Sequence, residues 1–241
     1  MKHRKRLAAC LLTAALTVST LCTGAFAWNT PTKVAHRFAD VSSSDWFCDA
    51  VQTAFDKGYM SGTSNTTFVP RGVTTRAAFV QTLYAKAGSP SVSSANPFHD
   101  VKSGDWYYSA VLWASQNGIT NGTSATTFSP NANVTREQLA VFLYADAGKP
   151  HTTGSLSDFA DSSRVDSWAL PAMRWAVQNG VISGSTSNGK RYLKPLDNAT
   201  RAETATMLVY YTGGIQTKPA AISPTGFCYD DVTDYSGAAY T

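Results

Sequence analysis

Cysteine, histidine and charge are all scarce in this chain, and each shortage excludes a class of function. The 241 residues include four cysteines and four histidines, and charged residues make up 15% of the total. His36, His99 and His151 show no metal-ligand spacing, so we expect no metal site and no cofactor. Because no Gly-x-Ser-x-Gly, zinc or Cys/His motif occurs either, we predict no catalytic residue and no enzymatic activity.

The N-terminus has the features of a secretory signal peptide, which we predict to span residues 1–27. A basic start precedes an apolar run that is too short and too rich in small residues to be a convincing membrane span. Ala25-Phe26-Ala27 then matches a small-x-small cleavage site. A lipoprotein is the alternative, but Cys10 precedes the apolar run and Cys22 follows the bulky Leu21.

Removal of this segment leaves a chain with no formal net charge. Four of the 20 Lys and Arg residues lie in it and none of the 16 Asp and Glu residues, so 16 of each sign remain. This balance argues against a nucleic-acid partner, which would require a basic patch or stripe. Cys48 and Cys228 also remain, and the sequence leaves open whether they form a disulfide.

What the chain does have is repetition, because one series of motifs occurs three times in the same order. Phe-x-Asp begins the copies at positions 38, 98 and 159, and a tryptophan follows at 46, 106 and 168. A pair of glycines lies at 58 and 62, at 118 and 122, and at 180 and 184, and Thr-Arg begins at 75, 135 and 200. Repeats of this length indicate one structural unit, copied, whose copies pack on one another.

Each unit is predicted to consist of a helix, a short extended loop and a second helix. In the second copy, Trp106, Ala110 and Trp113 follow the spacing of one helix face, and Gly118 ends that helix. The residues around Phe128 are extended and β-rich. A single unit of about 50 residues is marginal for independent stability, whereas three units that share one core can be stable.

The second helix of each unit follows a threonine that can cap its N-terminus. These threonines are Thr75, Thr135 and Thr200. Glu203 completes a capping box in the third copy, Gln138 takes the same place in the second, and Ala78 breaks the box in the first. Since the capping box fully explains Glu203, we favour that role over a catalytic one.

An arginine follows each capping threonine, in the first helical turn, where a cation is unfavourable by up to about 1 kcal/mol. The arginines are Arg76, Arg136 and Arg201. A bound anion would explain them, because a carboxylate there would meet both the guanidinium and the free backbone N–H groups. An internal salt bridge is the alternative, and the two are compatible if an aspartate holds the arginine for a ligand. The candidate partners are Asp40, Asp100 and Asp161.

The tryptophans and the second glycine of each pair have both structural and functional interpretations. The apolar helix faces favour core packing for the tryptophans, although an indole at a helix start can also face a sugar ring. The glycines are explained by turns with positive φ or by close approach of the backbone to a ligand. These residues are Trp46, Trp106, Trp168, Gly62, Gly122 and Gly184.

Taken in order, Phe-x-Asp-Val, Trp, Gly-x-x-x-Gly, Phe-x-Pro and Thr-Arg-Ala-Glu resemble the surface-layer homology (SLH) family from Phe38 to about Tyr211. The resemblance implies a mainly α fold in which three helix-loop-helix repeats form a pseudo-threefold, trimeric spindle. It also implies non-covalent binding of a cell-wall polysaccharide, typically one bearing pyruvylated N-acetylmannosamine, in grooves between the repeats. The motif Asp, Trp, second Gly and Arg of every copy, named above, would line these grooves.

The copies depart from the family motif in different places. Ala78 replaces the motif acid in the first copy, and in the second the acid moves by one place, to Glu137. The third copy has Ser162 in place of valine, with extra residues around the tryptophan and the loop. Because all three arginines are present, we carry the binding prediction over to every copy.

Serine- and proline-rich joints and the motifs together give the expected domain boundaries. We predict a signal peptide at 1–27, a linker at 28–37, repeats at 38–88, 98–148 and 156–211, and a tail at 212–241. Within the tail, Tyr229-Asp230-Asp231-Val232 resembles the opening of another copy. The tail is therefore expected to be a partial fourth repeat or a truncated end.

The sequence predicts a secreted protein of the cell wall and S-layer, with a pyruvylated secondary polysaccharide or peptidoglycan as its partner. No nucleic acid is expected as a partner, and no membrane span after signal removal. A protein–protein or self-assembly module of a surface layer is the main alternative. A cell-wall hydrolase is a further alternative, and it would need a catalytic pair in a cleft.

Overall fold

The computed structural model describes residues 37–213, and the regular structure in this range is mainly helical. Its six α-helices form three pairs, one pair for each repeat of the sequence. They are α1 (Cys48–Asp56) and α2 (Arg76–Lys86), α3 (Tyr108–Gln116) and α4 (Arg136–Asp146), and α5 (Leu170–Gln178) and α6 (Arg201–Tyr211). The predicted fold class, mainly α with three helix-loop-helix repeats, is confirmed.

Several predictions concern residues outside this range. The signal peptide, most of the linker, Cys228 and the possible fourth repeat lie beyond the described residues, whereas Cys48 is buried in α1. Within residues 37–213, none of the helices combines the length and the apolar character that a membrane span requires.

The second helix of each repeat begins where its threonine predicts. Thr75, Thr135 and Thr200 have extended backbones, and each hydroxyl accepts a hydrogen bond from the N–H three residues later. The side chains of Gln138 and Glu203 in turn accept a hydrogen bond from the backbone N–H of their threonine, which completes the two expected capping boxes. The capping predictions are therefore confirmed.

The first helix of each repeat begins later than predicted. It starts at Cys48, Tyr108 or Leu170, two residues after the tryptophan that the spacing assigns to it. In the first two repeats an aspartate just before the tryptophan, Asp45 or Asp105, accepts a hydrogen bond from the backbone N–H three residues earlier. A side chain that bonds the local backbone stabilises a turn in place of a helix, so each tryptophan lies ahead of its helix.

The loop of the third repeat, which is lengthened by the extra residues, contains the strands of the described structure. Strands β1 (Ser185–Ser187) and β2 (Lys190–Tyr192) pair in antiparallel register. Asn188 and Gly189 connect them with φ values of 49° and 71°, as a two-residue hairpin turn with both residues left-handed requires. The extended loop predicted for each repeat thus becomes a hairpin in this one.

Backbone hydrogen bonds join the three repeats into a closed cycle. The Thr74 N–H donates to the Ala199 carbonyl, the Ala199 N–H to Val134 and the Val134 N–H to Thr74, each at 2.9 Å. Helix packing follows the same order, because α2 packs on α3, α4 on α5 and α6 on α1. The cycle agrees with a pseudo-threefold arrangement, and the spindle shape itself stays a prediction.

One hydrophobic core runs through all three repeats. Each repeat contributes the phenylalanine of its Phe-x-Asp motif, and the exposure of this side chain is 3% or less. Where the second helices meet, Thr74 and Thr204 share a buried hydrogen bond of 2.8 Å between their hydroxyls. The repeats therefore satisfy one another's buried groups, as units too small to be stable alone require.

Candidate functional site

The motif arginines and aspartates bind the same loop where the second helix of one repeat meets the next repeat, and the motif tryptophan follows the aspartate in the chain. We name three such boundaries by the arginine that one repeat supplies and by the aspartate and tryptophan of the next. The first boundary contains Arg76, Asp100 and Trp106. The second contains Arg136, Asp161 and Trp168, and the third contains Arg201, Asp40 and Trp46.

The motif aspartates hold the loops in place. The two carboxylate oxygens of Asp100 accept hydrogen bonds from the N–H groups of Phe128 and Ser129, at 2.9 and 2.7 Å. Asp40 and Asp161 accept equivalent pairs from their own loops. Burial alone would raise the pKa of Asp100, but these hydrogen bonds outweigh it, so the pKa lies below its ordinary value.

Each aspartate also fixes a strained turn. The residue that donates the second hydrogen bond is Val69, Ser129 or Lys194, and its φ is 56°, 59° or 51°. Side chains at such φ values are uncommon outside glycine and persist only where the surroundings enforce them. The same strained backbone at all three boundaries shows that the aspartates serve first as scaffold.

The helix N–H groups expected to meet a ligand are occupied by protein. In α2, the N–H groups of Arg76 and Ala77 donate to the carbonyls of Ala132 and Pro130, at 2.9 and 3.0 Å. The next N–H, of Ala78, binds the capping threonine. Helices α4 and α6 bind the following loop in the same way. The prediction of free N–H groups is therefore wrong, because the next repeat satisfies them.

At the first boundary, the side chain of Arg76 is almost completely buried, but its two Nη atoms reach solvent. Arg76 is 6% exposed, and its Nε donates to the Phe128 carbonyl at 2.9 Å. Its guanidinium carbon lies 5.0 and 5.3 Å from the ring centroids of Phe128 and Phe142. Within residues 37–213 no acceptor binds either Nη atom, and both reach solvent. Burial lowers the pKa of Arg76, and the charge of Asp100 opposes this shift.

At the second boundary, an internal carboxylate neutralises the arginine. Arg136 is 5% exposed, and its Nε donates to the Leu193 carbonyl at 2.9 Å. Its Nη1 forms an ion pair with Glu203 Oε1 at 2.5 Å, while Glu203 Oε2 accepts the Thr200 N–H. The acid that the sequence assigns to a capping box thus has a second role, because it joins two repeats through Arg136.

The third boundary lies between these extremes. Arg201 is half-buried, its Nε donates to the Phe68 carbonyl at 2.8 Å, and its Nη2 donates to the Ser61 carbonyl at 2.7 Å. Burial lowers the pKa of Arg201, and Asp40 opposes the shift. Among the described residues, neither this arginine nor Arg76 forms a direct salt bridge with its motif aspartate, which acts through space and through the loop.

Two of the three motif tryptophans are exposed. Trp106 and Trp168 expose 66% and 53% of their surface, so the core-packing interpretation is wrong for both, because each precedes its helix. Trp46 is half-buried and packs against the core. The Trp106 ring stands edge-on to Tyr107, with centroids 5.1 Å apart, and the Trp168 Nε1 donates to Asp166 Oδ2 at 3.1 Å. Exposed indoles of this kind can stack on sugar rings.

The second glycine of each pair is required by packing inside the protein. At Gly122, φ is 78°, and an added Cβ would lie 2.4 Å from the Thr127 carbonyl oxygen and 2.6 Å from the Phe98 ring. A Cβ at Gly62 or Gly184 would collide with the motif phenylalanine in the same way. These contacts explain the glycines without a ligand.

A polar cluster that the sequence analysis missed joins the far ends of the second helices. Lys86, Asp146 and Tyr211 hold the same register position in α2, α4 and α6. Asp146 forms an ion pair with Lys86 and accepts a hydrogen bond of 2.6 Å from the Tyr211 hydroxyl. Burial and Asp146 raise the pKa of Tyr211. The shared offset in each copy is a signal that could have identified the three residues.

Comparison with known proteins identifies the repeats. The family model of the S-layer homology domain matches residues 37–80, 97–140 and 158–205, which make up more than half of the chain. The surface-layer 125 kDa protein of Lysinibacillus sphaericus is 40% identical over 157 residues, which cover 65% of this chain and 13% of that protein. An endoglucanase of Bacillus sp. (strain KSM-635) is 31% identical over 180 residues, which cover 72% and 18%.

The likeness to these relatives is confined to a small part of each, since the chain spans less than a fifth of their length. Among solved structures, an undecaheme cytochrome from the S-layer of Carboxydothermus ferrireducens is 20% identical over 61% of this chain and 23% of its own, with a TM-score of 0.32. Each of the three matched segments contains the first helix of one pair and the beginning of the second. This chain belongs to the S-layer homology domain family.

Proposed function

We propose that the chain anchors itself non-covalently to the bacterial cell wall by binding a pyruvylated secondary polysaccharide at the repeat boundaries. S-layer homology domains in S-layer and cell-surface proteins fit wall anchoring and a location at the cell surface. The matched family is an anchoring module, and the enzyme relative shares only 18% of its length with this chain. We therefore propose a binding function without enzymatic activity.

The observation that carries this proposal is that one boundary has an arginine with donors open to solvent, and that the repeat completing this boundary also has an exposed tryptophan. A guanidinium binds a carboxylate through charge-assisted hydrogen bonds, and an indole face packs on a sugar ring. A pyruvyl ketal places a carboxylate directly on a sugar, so one ligand offers both groups. The remaining motif residues, aspartates and glycines, would act by holding the loops that carry the site.

Three boundaries on one chain also allow a repeating polymer to be held at several points. When a second site engages the same polymer, binding becomes intramolecular and the overall affinity exceeds that of each site. Modest affinity at each boundary is therefore sufficient for stable anchoring.

A wall-binding assay tests the proposal. The chain from residue 28 to 241 should sediment with isolated bacterial walls, and the double variant Trp106→Ala/Trp168→Ala should remain in the supernatant. Both tryptophans are exposed, so the variant should keep the circular dichroism spectrum of the parent chain.

Two treatments of the walls identify the partner. Binding should be lost after extraction of the secondary polysaccharide and weakened after removal of its pyruvyl groups. Undiminished binding to extracted walls would overturn the proposal in favour of peptidoglycan or a protein partner.

A further inference from the structure

We propose that the three boundaries are not equivalent, and that the first boundary holds the principal carboxylate site. In this proposal Arg76 binds the ligand carboxylate and Trp106 packs on the sugar ring, while Arg136 only stabilises the fold. The inference rests on the proposed function, because it takes the ligand to be an acidic sugar.

The difference arises at one position of the second helix. Glu203 in α6 reaches back to Arg136 of the preceding repeat and pairs with it. By repeat equivalence, Gln138 takes that place opposite Arg76, and Ala78 takes it opposite Arg201. The Gln138 side chain is neutral and accepts the N–H of its capping threonine at 3.3 Å. Of the three motif arginines, Arg136 is therefore the one that faces a carboxylate at this position.

The environment of Arg76 calls for an anion from outside the chain. Its side chain is nine-tenths buried, yet both Nη atoms lack an acceptor within the described residues and open to solvent. A buried charge with unmet donors is unfavourable unless it is paired. Asp100 does not supply the pair: its oxygens hold the loop N–H groups, and within residues 37–213 neither oxygen binds Arg76. A ligand carboxylate would satisfy the two Nη atoms together.

Aromatic rings hold the Arg76 guanidinium ready for such a ligand. Phe128 and Phe142 both lie within 5.3 Å of its central carbon, and the Nε bond to the Phe128 carbonyl fixes its direction. At the second boundary, Leu193 takes the place of Phe128, and the Glu203 carboxylate stabilises the guanidinium there. A pre-oriented cation loses less freedom on binding, which favours the first boundary.

The tryptophans differ in the same direction. Within residues 37–213 no acceptor binds the indole N–H of Trp106, which is 66% exposed and available to a sugar oxygen. The indole N–H of Trp168 is already bound to Asp166. The backbone N–H of Asp166 in turn binds the buried carboxylate of Glu137 at 3.1 Å, so the second boundary has a buried acid where the first has Ala77. Negative charge at the second boundary disfavours an acidic sugar.

The third boundary has intermediate features. Arg201 gives one Nη to the Ser61 carbonyl, which leaves one for a ligand, and Trp46 is half-buried. We therefore expect carboxylate binding to be strongest at the first boundary, weaker at the third and weakest at the second.

Matched tryptophan variants test this order without disturbing the core. The mature chain is titrated calorimetrically with the methyl glycoside of 4,6-O-pyruvyl-N-acetylmannosamine, and its affinity for isolated walls is measured in parallel. Trp106→Ala should weaken both by about tenfold or more, whereas Trp168→Ala should change them less than about twofold. The methyl ester of the glycoside, which lacks the charge, should bind the parent chain more weakly than the glycoside does.

A second variant tests the cause of the difference. Glu203→Gln gives the third repeat the residue found at the equivalent place in the second, and so keeps the capping box. Release of Arg136 from its ion pair should raise wall affinity by about threefold or more through a second usable site. Unchanged or weaker binding by a folded Glu203→Gln chain would overturn the proposal that the ion pair with Glu203 keeps Arg136 from binding a ligand.

The outcomes separate this inference from the proposed function. A parent chain that binds neither walls nor glycoside refutes the proposed function and this inference with it. A parent chain that binds, with equal losses in the two tryptophan variants or a larger loss in Trp168→Ala, refutes the inference alone. The comparison of the two variants on walls decides the matter even where the single sugar binds too weakly for calorimetry.

Discussion

The first and second boundaries share a backbone and differ in charge. In both, an aspartate holds two loop N–H groups and an arginine donates its Nε to a loop carbonyl. Within residues 37–213, no acceptor binds the two Nη atoms of Arg76 at the first boundary, whereas at the second the Arg136 Nη1 donates to Glu203. One scaffold can therefore carry a ligand site in one place and a structural ion pair in another.

The comparison also shows how a repeat protein diversifies. The three cycle-forming hydrogen bonds and the three strained turns are nearly identical, so the backbone tolerates little change. The residue three places after the capping threonine differs among the repeats, and it is Ala78, Gln138 or Glu203. Because Glu203 at this position faces the arginine of the preceding repeat, a single substitution here changes the charge at the boundary with that repeat.

The largest effect is expected from removal of the arginine that we regard as structural. Arg136→Ala should lower the free energy of unfolding by about 3 kcal/mol, because it leaves the Glu203 carboxylate partly buried without its partner. Arg76→Ala should cost about 1–2 kcal/mol, since it removes a neutral carbonyl contact and packing. Urea denaturation measures both, and equal losses would contradict the distinction between the two arginines.

The next effect tests whether the two boundaries have the same scaffold. Gly122→Ala and Gly184→Ala should each lower the free energy of unfolding by about 2–3 kcal/mol, because the new Cβ meets a loop carbonyl and a phenylalanine ring at positive φ. Gly118→Ala is the control, with a φ of 67° and open space around its Cβ, and should cost about 1 kcal/mol. A much smaller loss at Gly184 would show that the second loop is built differently.

The aspartate of the first boundary makes a smaller, pH-dependent contribution. Since the pKa of Asp100 is lower in the folded chain, its carboxylate stabilises the fold above the unfolded pKa and loses this effect as pH falls through the folded pKa. Asp100→Asn should therefore cost about 1–2 kcal/mol at about pH 7, and its difference from the parent chain should shrink below about pH 4. Denaturation at several pH values checks this, and a pH-independent difference would disagree with the hydrogen-bonding role.

The smallest effect, with the opposite sign, is expected at the second boundary. Burial, together with Asp166, raises the pKa of Glu137, so its ionised form opposes folding once pH exceeds the unfolded pKa. Glu137→Gln keeps an oxygen for the Asp166 N–H and should make the chain slightly more stable near neutral pH, with no gain below about pH 4. Glu203→Gln should instead destabilise, and a loss in both variants would remove the contrast between the two acids.

Much of the local structure could be predicted from single repeats. The capping threonines, the two complete capping boxes and the broken first box follow from residues three places apart, and the structure has all of them. The tryptophans could not be placed in the same way, because helical spacing extends past the true helix start. Side chains such as Asp105, which binds the Lys102 N–H, keep the chain in a turn there.

The sequence predicted which residues form the candidate site, but it did not predict the hydrogen bonds that they make. The sequence identified Arg76 and its equivalents as unfavourably placed cations, but it treated the helix N–H groups as free and offered the aspartates as candidate salt-bridge partners. Neither arrangement is found in the part of the chain that the structure describes, because the loop of the next repeat supplies carbonyls to the helix and donates its own N–H groups to the aspartate. The aspartate and the loop residue that it binds are 28 positions apart, and the helix and its loop are further apart still, so these contacts leave no local pattern.

The amino-acid order alone determined that this protein has three copies of a helix-loop-helix unit, where each second helix begins, and which family the copies resemble. Tertiary structure decided which arginine keeps open donors, which one Glu203 neutralises, and which tryptophans face solvent. The physical reason is that caps and helix faces depend on neighbours within one turn of the chain. The charge of a boundary depends on side chains from two repeats, which meet only when the cycle of three is closed.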